Sequence, residues 1–255
     1  MKPVLFNIGQ ISIYSYHLFI MLGIFLGLWF FNRYGKKAGL KYIEIVDVSL
    51  VAIVSAYAGA RLFHVLFVMP EYYLNNPLEI FALWKGGFVI YGAILTPIIF
   101  VYWYAKKKQL NFLLITDLLT PSLAIGTFLG RFACLFQGCC FGAQTIMPWG
   151  MIFPQGANGG FTPAGIPLHP TQIYLSLHGL IMFFILNWRI KGKKFDGELT
   201  LWYLILYAVG RFIIEYFRAD FRGGLFEPLS TSQAISILVA IVCAVIAVRK
   251  YSKCC

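Results

Sequence analysis

The chain has 255 residues, 60% hydrophobic and only 12% charged, and its mean hydropathy is +0.76. Soluble domains carry about 25% charged residues, so this composition excludes an ordinary soluble fold and indicates a polytopic membrane protein. The net charge of +11 sits in short Lys/Arg clusters between apolar stretches rather than along one face, which excludes nucleic acid as the expected partner.

From the amino terminus, MKPVLFNIGQIS leads into an apolar stretch that runs through aromatics to WFFNRYGKK with no small-residue exit, so it reads as a retained span and not a cleaved signal. Seven spans are expected, at 14–31, 48–69, 88–104, 112–130, 172–188, 199–217 and 231–248, each near the ~20 residues a hydrocarbon core requires. The one long connection, at about 143–168, contains PWGMIFPQGANGGFTPAGIPLHP, too rich in Gly and Pro for a helix. No internal repeat or soluble domain interrupts the pattern, so residues 1–255 are expected to form one integral membrane domain.

The basic residues set the expected orientation. Arg33, Lys36, Lys37 and Lys41 follow the first span, Lys106, Lys107 and Lys108 the third, and Arg189, Lys191, Lys193 and Lys194 the fifth; Arg249, Lys250 and Lys253 end the chain. The alternate connections hold only Lys85, Arg131, and Arg218 with Arg222. By the positive-inside rule the N-terminus is outside, the C-terminus cytoplasmic, and the Gly/Pro-rich loop outward. The fold class is thus all-α, a bundle of about seven transmembrane helices.

With that orientation Arg61, Arg131 and Arg211 fall in the outer halves of their spans, and Tyr16, His17, Tyr91, His169 and Gln172 open theirs from the same side. An arginine in hydrocarbon costs ~2.5–3.5 kcal/mol on insertion scales, so an intramembrane arginine points to function by default. Tyr207, Arg211 and Glu215 share one helix face at i, i+4 and i+8. The plain alternative is an Arg211–Glu215 pair that only joins helices. Three arginines against one convincing carboxylate, however, leave positive charge for an anion, and a phospholipid phosphate is the anion available at that depth. Asp117 reads as a snorkelling or helix-capping acid, and His64 and His178 as packing residues.

GRFACLFQGCCFG, residues 130–142, adds Cys134, Cys139 and Cys140. Their C-x4-C-C spacing does not match the pattern of a structural zinc site, so neither metal nor cofactor is expected. A disulfide, simple packing and a nucleophilic thiol activated by Arg131 stay open. Cys243 lies in the last span, and the terminal pair Cys254 and Cys255 is a candidate for lipidation.

Taken together these segments resemble the bacterial prolipoprotein diacylglyceryl transferases. SYHLFIMLG is similar to the family's first-helix tyrosine segment, AGARLFHVLF to G-x-R-x-x-Y-V-L-F, and WKGGFVIYGAIL to W-x-G-G-M-S-F-H-G-G. GRFACLFQGCCFG parallels G-R-x-G-N-F-x-N-x-E-x-x-G, HPTQIY parallels H-P-S-Q-L-Y, and YAVGRFIIEYFRAD parallels Y-x-x-F-R-x-x-x-E-x-x-R-x-P-D. The resemblance implies transfer of the diacylglyceryl group of phosphatidylglycerol to the lipobox cysteine thiol of a prolipoprotein, with release of glycerol phosphate, at the outer or periplasmic face of the plasma membrane. Phosphatidylglycerol, the lipobox peptide and membrane lipids are the implied partners.

Carried over by position, Arg131, Arg211, Glu215, Tyr207 and Tyr91 are the catalytic candidates. Tyr16, Arg61, Gly142, His169 and Gln137 are the substrate-binding ones. Among the chemistry-bearing positions four depart from the family pattern: Tyr91 replaces a histidine, Cys134 and Gln137 replace asparagines, and Cys139 replaces a glutamate. A tyrosine is a poor base at neutral pH because free phenols ionise near ~10. Two other readings remain in play, a divergent lipid or acyl transferase working through a cysteine nucleophile and a membrane transporter, although no transporter-like repeat is present.

Overall fold

The computed structural model describes residues 4–8, 11–160, 162–218 and 229–253. The expectations for Arg222, Cys254 and Cys255 lie outside the described residues. The helices are α1 (Ser15–Lys37), α2 (Tyr42–Phe63), α3 (Pro70–Asn75), α4 (Ile90–Lys107), α5 (Phe112–Gln137), α6 (Thr171–Arg189), α7 (Glu198–Glu215) and α8 (Thr231–Tyr251). A π-helical turn, His64–Val68, extends α2. The helical expectation thus holds, with two small additions: antiparallel hairpins β1 (Val4–Ile8) with β2 (Ile11–Tyr14), and β3 (Met151–Ile152) with β4 (Pro167–Leu168).

Among the described residues, five helices are long and apolar enough to cross a membrane: α1, α2 through Val68, α5, α6 through Gly192, and α8. Helices α4 and α7 have 18 residues each, or about 27 Å at 1.5 Å per residue, against a core of ~30 Å. The first ends in Lys106 and Lys107, and the second carries Glu198, Arg211 and Glu215. The chain is a multi-pass helical membrane protein. The largest change from the expected boundaries is in α5, which does not stop near Gly130 but runs two turns further, bringing Arg131 and Cys134 onto helix.

The chain packs as two compact units, Asn32–Ile115 and a larger one of Met1–Phe31 with Thr116–Cys255. In the smaller unit α2 and α4 meet through small residues. A Cβ on Gly92 would run into the Gly59 carbonyl, and one on Gly59 would meet the Thr96 side chain. Thr96 adds a bond from its hydroxyl to the Ser55 carbonyl at 2.6 Å. Close backbone approach of this kind holds helices together where apolar burial gives no drive, because lipid tails are as apolar as leucine.

In the larger unit Ala124 and Ile125 of α5, Met182, Phe183 and Leu186 of α6 and Leu199 of α7 form a buried core, with Phe30 of α1 packed against it. Ser176 fastens α6 to α5 by donating to the Phe128 carbonyl at 2.7 Å. Asp117 is fully buried and accepts from the backbone N–H groups of Gly197 at 2.8 Å and Thr200 at 2.9 Å. It is therefore a cap, as one of its two readings had it, but it caps α7 from another helix. His178 donates from Nε2 to the Leu206 carbonyl at 3.0 Å and packs over Gly210, a packing role as expected.

Overpacking a close contact costs roughly 1–3 kcal/mol, so Gly92→Val should destabilise the protein by about that much in a denaturant titration in detergent. Unchanged stability would mean that α2 and α4 do not approach as closely as described here.

Candidate functional site

The site in the larger unit begins where α5 ends. Gly138, with φ of +79°, takes the left-handed conformation that terminates helices at little steric cost. The N–H of Gly138 bonds the Leu135 carbonyl at 3.1 Å, and the N–H of Cys139 reaches back to the Cys134 carbonyl at 3.2 Å. These are the two bonds of a Schellman cap, and the cap folds Cys139 over the turn that holds Cys134. Cys140 follows, also left-handed at φ of +63°. All three Sγ atoms then lie within 4.8 Å of one another. The thiols are free and half-buried.

Hydrogen bonds from Cys134 and Cys139 to Cys140 lower the Cys140 pKa, helped by the Arg131 and Arg218 guanidinium charges. The same contacts with its two neighbours, together with burial, raise that of Cys139.

The segment after the cap is clamped by α6 and its approach. Thr162 donates to the Gly138 carbonyl, Gln172 to that of Cys139 at 2.8 Å and Thr171 to that of Cys140 at 2.7 Å. Gly142 bonds the His169 carbonyl at 2.8 Å and pairs with Arg218. A Cβ there would collide with the Phe217 carbonyl and approach His169 Cβ to 2.7 Å. Glycine at 142 thus lets three backbone segments meet. The His169 ring contacts Phe217, and its Nδ1 lies 3.1 Å from the Tyr174 hydroxyl.

From α7, Arg211 pairs with Glu215 at 2.6 Å and donates to the Ser232 hydroxyl at 3.3 Å. The other Glu215 oxygen accepts from Ser230 at 3.1 Å, and Ser230 also caps α8 in a capping box with Gln233. Arg218 comes within 4.0 Å of the same carboxylate, with its side chain only 3% exposed. Among the described residues Arg211 and Arg218 thus meet at Glu215. Among the described residues Arg131 has no carboxylate partner. Tyr207 lies one turn before Arg211, stacked on Tyr203 and packed on the core. Gln137 is half-buried at the end of α5, and Tyr16 sits in the first turn of α1 with its ring edge-on to His17.

Two candidates belong to the smaller unit. Arg61 is buried, at 5% exposure, and its five N–H groups all meet backbone carbonyls. Nε donates to Ile80 at 3.0 Å, Nη2 to Glu79 at 2.7 Å and to Ala82 at 3.3 Å, and Nη1 to Gly86 and Gly87. A phosphate reaches this guanidinium only by displacing carbonyls, so Arg61 is first of all the clamp on 79–87. Gly87 at φ of +77° fits against Arg61 and His64 where a Cβ would clash. Tyr91, in the first turn of α4, is 62% exposed.

Sequence reasoning missed Ser230, Thr162, Thr171 and the burial of Arg218. The first was within reach, since STSQ at 230–233 is an S-x-x-Q capping-box pattern.

A family model described as prolipoprotein diacylglyceryl transferase matches residues 3–249. The chain is 39% identical over 242 residues, 95% of either chain, to a phosphatidylglycerol–prolipoprotein diacylglyceryl transferase of Clostridium tetani. It is 35% identical to a second-numbered transferase of the same name from Clostridium perfringens, covering 94% of this chain and 92% of that one. A Vibrio cholerae protein of that name is 32% identical over 98% of this chain and 92% of its own.

Arg61→Lys keeps the charge but cannot make five bonds. It should speed amide hydrogen exchange in 79–89 by roughly tenfold or more, as the loss of one charged hydrogen bond implies; unchanged exchange would show that the clamp does not hold this segment. Arg211→Gln and Glu215→Gln should be less than additive in stability by about 0.5–3 kcal/mol. Strict additivity would show that the pair is not formed.

Proposed function

The chain belongs to the prolipoprotein diacylglyceryl transferase family, and from that premise we propose how its residues carry the transfer. It is a membrane transferase of lipoprotein biosynthesis that moves the diacylglyceryl group of phosphatidylglycerol to a prolipoprotein. The acceptor atom is the lipobox cysteine sulfur. A sulfur–carbon bond forms to the glyceryl carbon, the carbon–oxygen bond to phosphate breaks, and the electron pair leaves with glycerol phosphate.

The observation that carries this reading is Arg131, a guanidinium on the last turns of α5 for which no salt bridge is formed among the described residues. Arg131 binds the lipid phosphate and takes up the charge that grows on it as the bond breaks. Donors aimed at developing charge are worth most in a site that excludes water. Glu215 holds Arg211 in place, Tyr207 lines the same helix face, and Gly142 keeps the backbone close. His169 and Gln137 complete the pocket for the headgroup, with Tyr16 beside it, while Arg61 positions its own loop and Tyr91 stands at the entry to α4.

The family match spans both packing units, which supports treating 1–255 as one integral membrane domain. We propose seven spans for it, with α4 and α7 as the short ones. The Lys/Arg alternation supports an outside N-terminus, a cytoplasmic C-terminus, and a site facing outward from the plasma membrane.

Vesicles containing the purified chain, labelled phosphatidylglycerol and a lipobox peptide should yield a thioether-linked diacylglyceryl peptide by mass spectrometry. Arg131→Ala should lower turnover by about 10²–10³, the usual loss for one donor to developing charge. Undiminished turnover would overturn the phosphate role of Arg131.

A further inference from the structure

We propose that Cys134, Cys139 and Cys140 form a three-thiolate site for one thiophilic divalent cation, such as zinc, whose fourth position takes the acceptor's cysteine thiol. The proposal rests on the transferase reading for the identity of that thiol, and on geometry for the site itself.

Three sulfur atoms within 4.8 Å of one another need to close by only about 1 Å to reach the ~3.8 Å separation that 2.3 Å zinc–sulfur bonds impose in a tetrahedron. Their backbone is already held. The Schellman cap fixes Cys134 against Cys139, and the carbonyls of Gly138, Cys139 and Cys140 are each bonded by a side chain, Thr162, Gln172 and Thr171 respectively. The C-x4-C-C spacing argued against a metal because it was read along the chain. The reversed φ at Gly138 and Cys140 folds that spacing into a three-pronged cluster.

The charges also suit a cation. Three thiolates cannot share so small a space uncompensated, yet with a divalent ion they carry a net charge of only about −1 by simple counting. Arg131, three residues before Cys134 on α5, supplies a positive charge against that remainder.

Three protein ligands with an open fourth position mark a catalytic rather than a closed structural zinc site. The reaction supplies a use for the opening. Only the thiolate is nucleophilic, a free cysteine thiol ionises near ~8.5, and a thiol bound to a metal loses its proton outright. The step balances as follows: the acceptor R–SH binds the cation and releases a proton, and its sulfur then forms the bond to the glyceryl carbon. The phosphate oxygen of the leaving glycerol phosphate takes the electron pair and can accept that proton. The cation stays on the three cysteines with its valence unchanged.

The test uses the full chain, reduced and stripped with a chelator, titrated with cobalt(II) as the spectroscopic probe. One equivalent should bind with sulfur-to-metal charge-transfer absorption, and a lipobox peptide should intensify that absorption while a serine-substituted peptide should not. Cys139→Ser should weaken binding by more than the roughly 10–100-fold that loss of a ligand's outer hydrogen-bond partner costs. Cys243→Ser, altering the buried cysteine of α8, should leave binding intact. The serine variants are checked for native unfolding temperature before titration.

Absent binding, or equal binding by the Cys134→Ser/Cys139→Ser/Cys140→Ser variant, overturns the site, as does a disulfide within the cluster that survives isolation with zinc. Full transferase activity in the stripped protein overturns the thiol-activating role and leaves the transferase reading standing. Conversely, cobalt binding with peptide response but no thioether product from phosphatidylglycerol upholds the site and sinks the transferase reading.

Discussion

The hydrogen bond from the Cys139 N–H to the Cys134 carbonyl, closed by a left-handed Gly138, is the constraint from which the larger unit's site is built. It ends α5 and turns the chain back on itself, so three thiols from one short segment converge beside Arg131. A residue with a side chain at 138 would meet the penalty for φ above zero, roughly 1 kcal/mol or more. Relaxing the turn would separate Cys139 from Cys134. It would also release the carbonyls that Thr162, Gln172 and Thr171 hold, and with them the register of Gly142 against His169 and Phe217. One local backbone choice thus sets the positions of the three thiols, of the glycine junction and of the start of α6.

Charge is the second organising term. Buried arginines persist only where something answers them, and the two units answer differently. In the smaller unit five carbonyls saturate Arg61, so its cost of burial is met by ordering a loop. In the larger unit Arg211 and Arg218 share Glu215, and Arg131 lies about one helical turn before Cys134 on α5. Residues alike in the sequence therefore do unlike work: one guanidinium orders a loop, and two others gather at a carboxylate. Full-length kinship with diacylglyceryl transferases fits the second arrangement, since the substrate is a phosphate diester and the leaving group a phosphate monoester.

How much of this was legible beforehand depended on range. Tyr207, Arg211 and Glu215 lie on one helix, where i, i+4 spacing alone brings the pair together, and the ion pair is there. The length of the apolar stretches found the helices, and motif order found the family. Boundaries failed where polarity misled: Arg131 looked like an end signal, yet α5 continues because Phe132, Leu135 and Phe136 keep the run apolar. Asp117 was readable as a cap, but its recipient, 80 residues on at Gly197, was not. The carbonyl partners of Arg61 and the burial of Arg218 also required tertiary structure. The meeting of the three thiols was not legible for a further reason, since it depends on two left-handed residues that the spacing alone does not reveal.

The most direct test of this convergence needs neither lipid nor peptide. Arsenite condenses with three thiols only when all three reach one arsenic atom, so intact-mass analysis of the reduced chain in mild detergent reads the geometry as a stoichiometry. The account predicts one arsenic per chain that protects Cys134, Cys139 and Cys140 together from alkylation and leaves Cys243 unaffected. Arsenic bound through only two of them, or none bound at all, would contradict it.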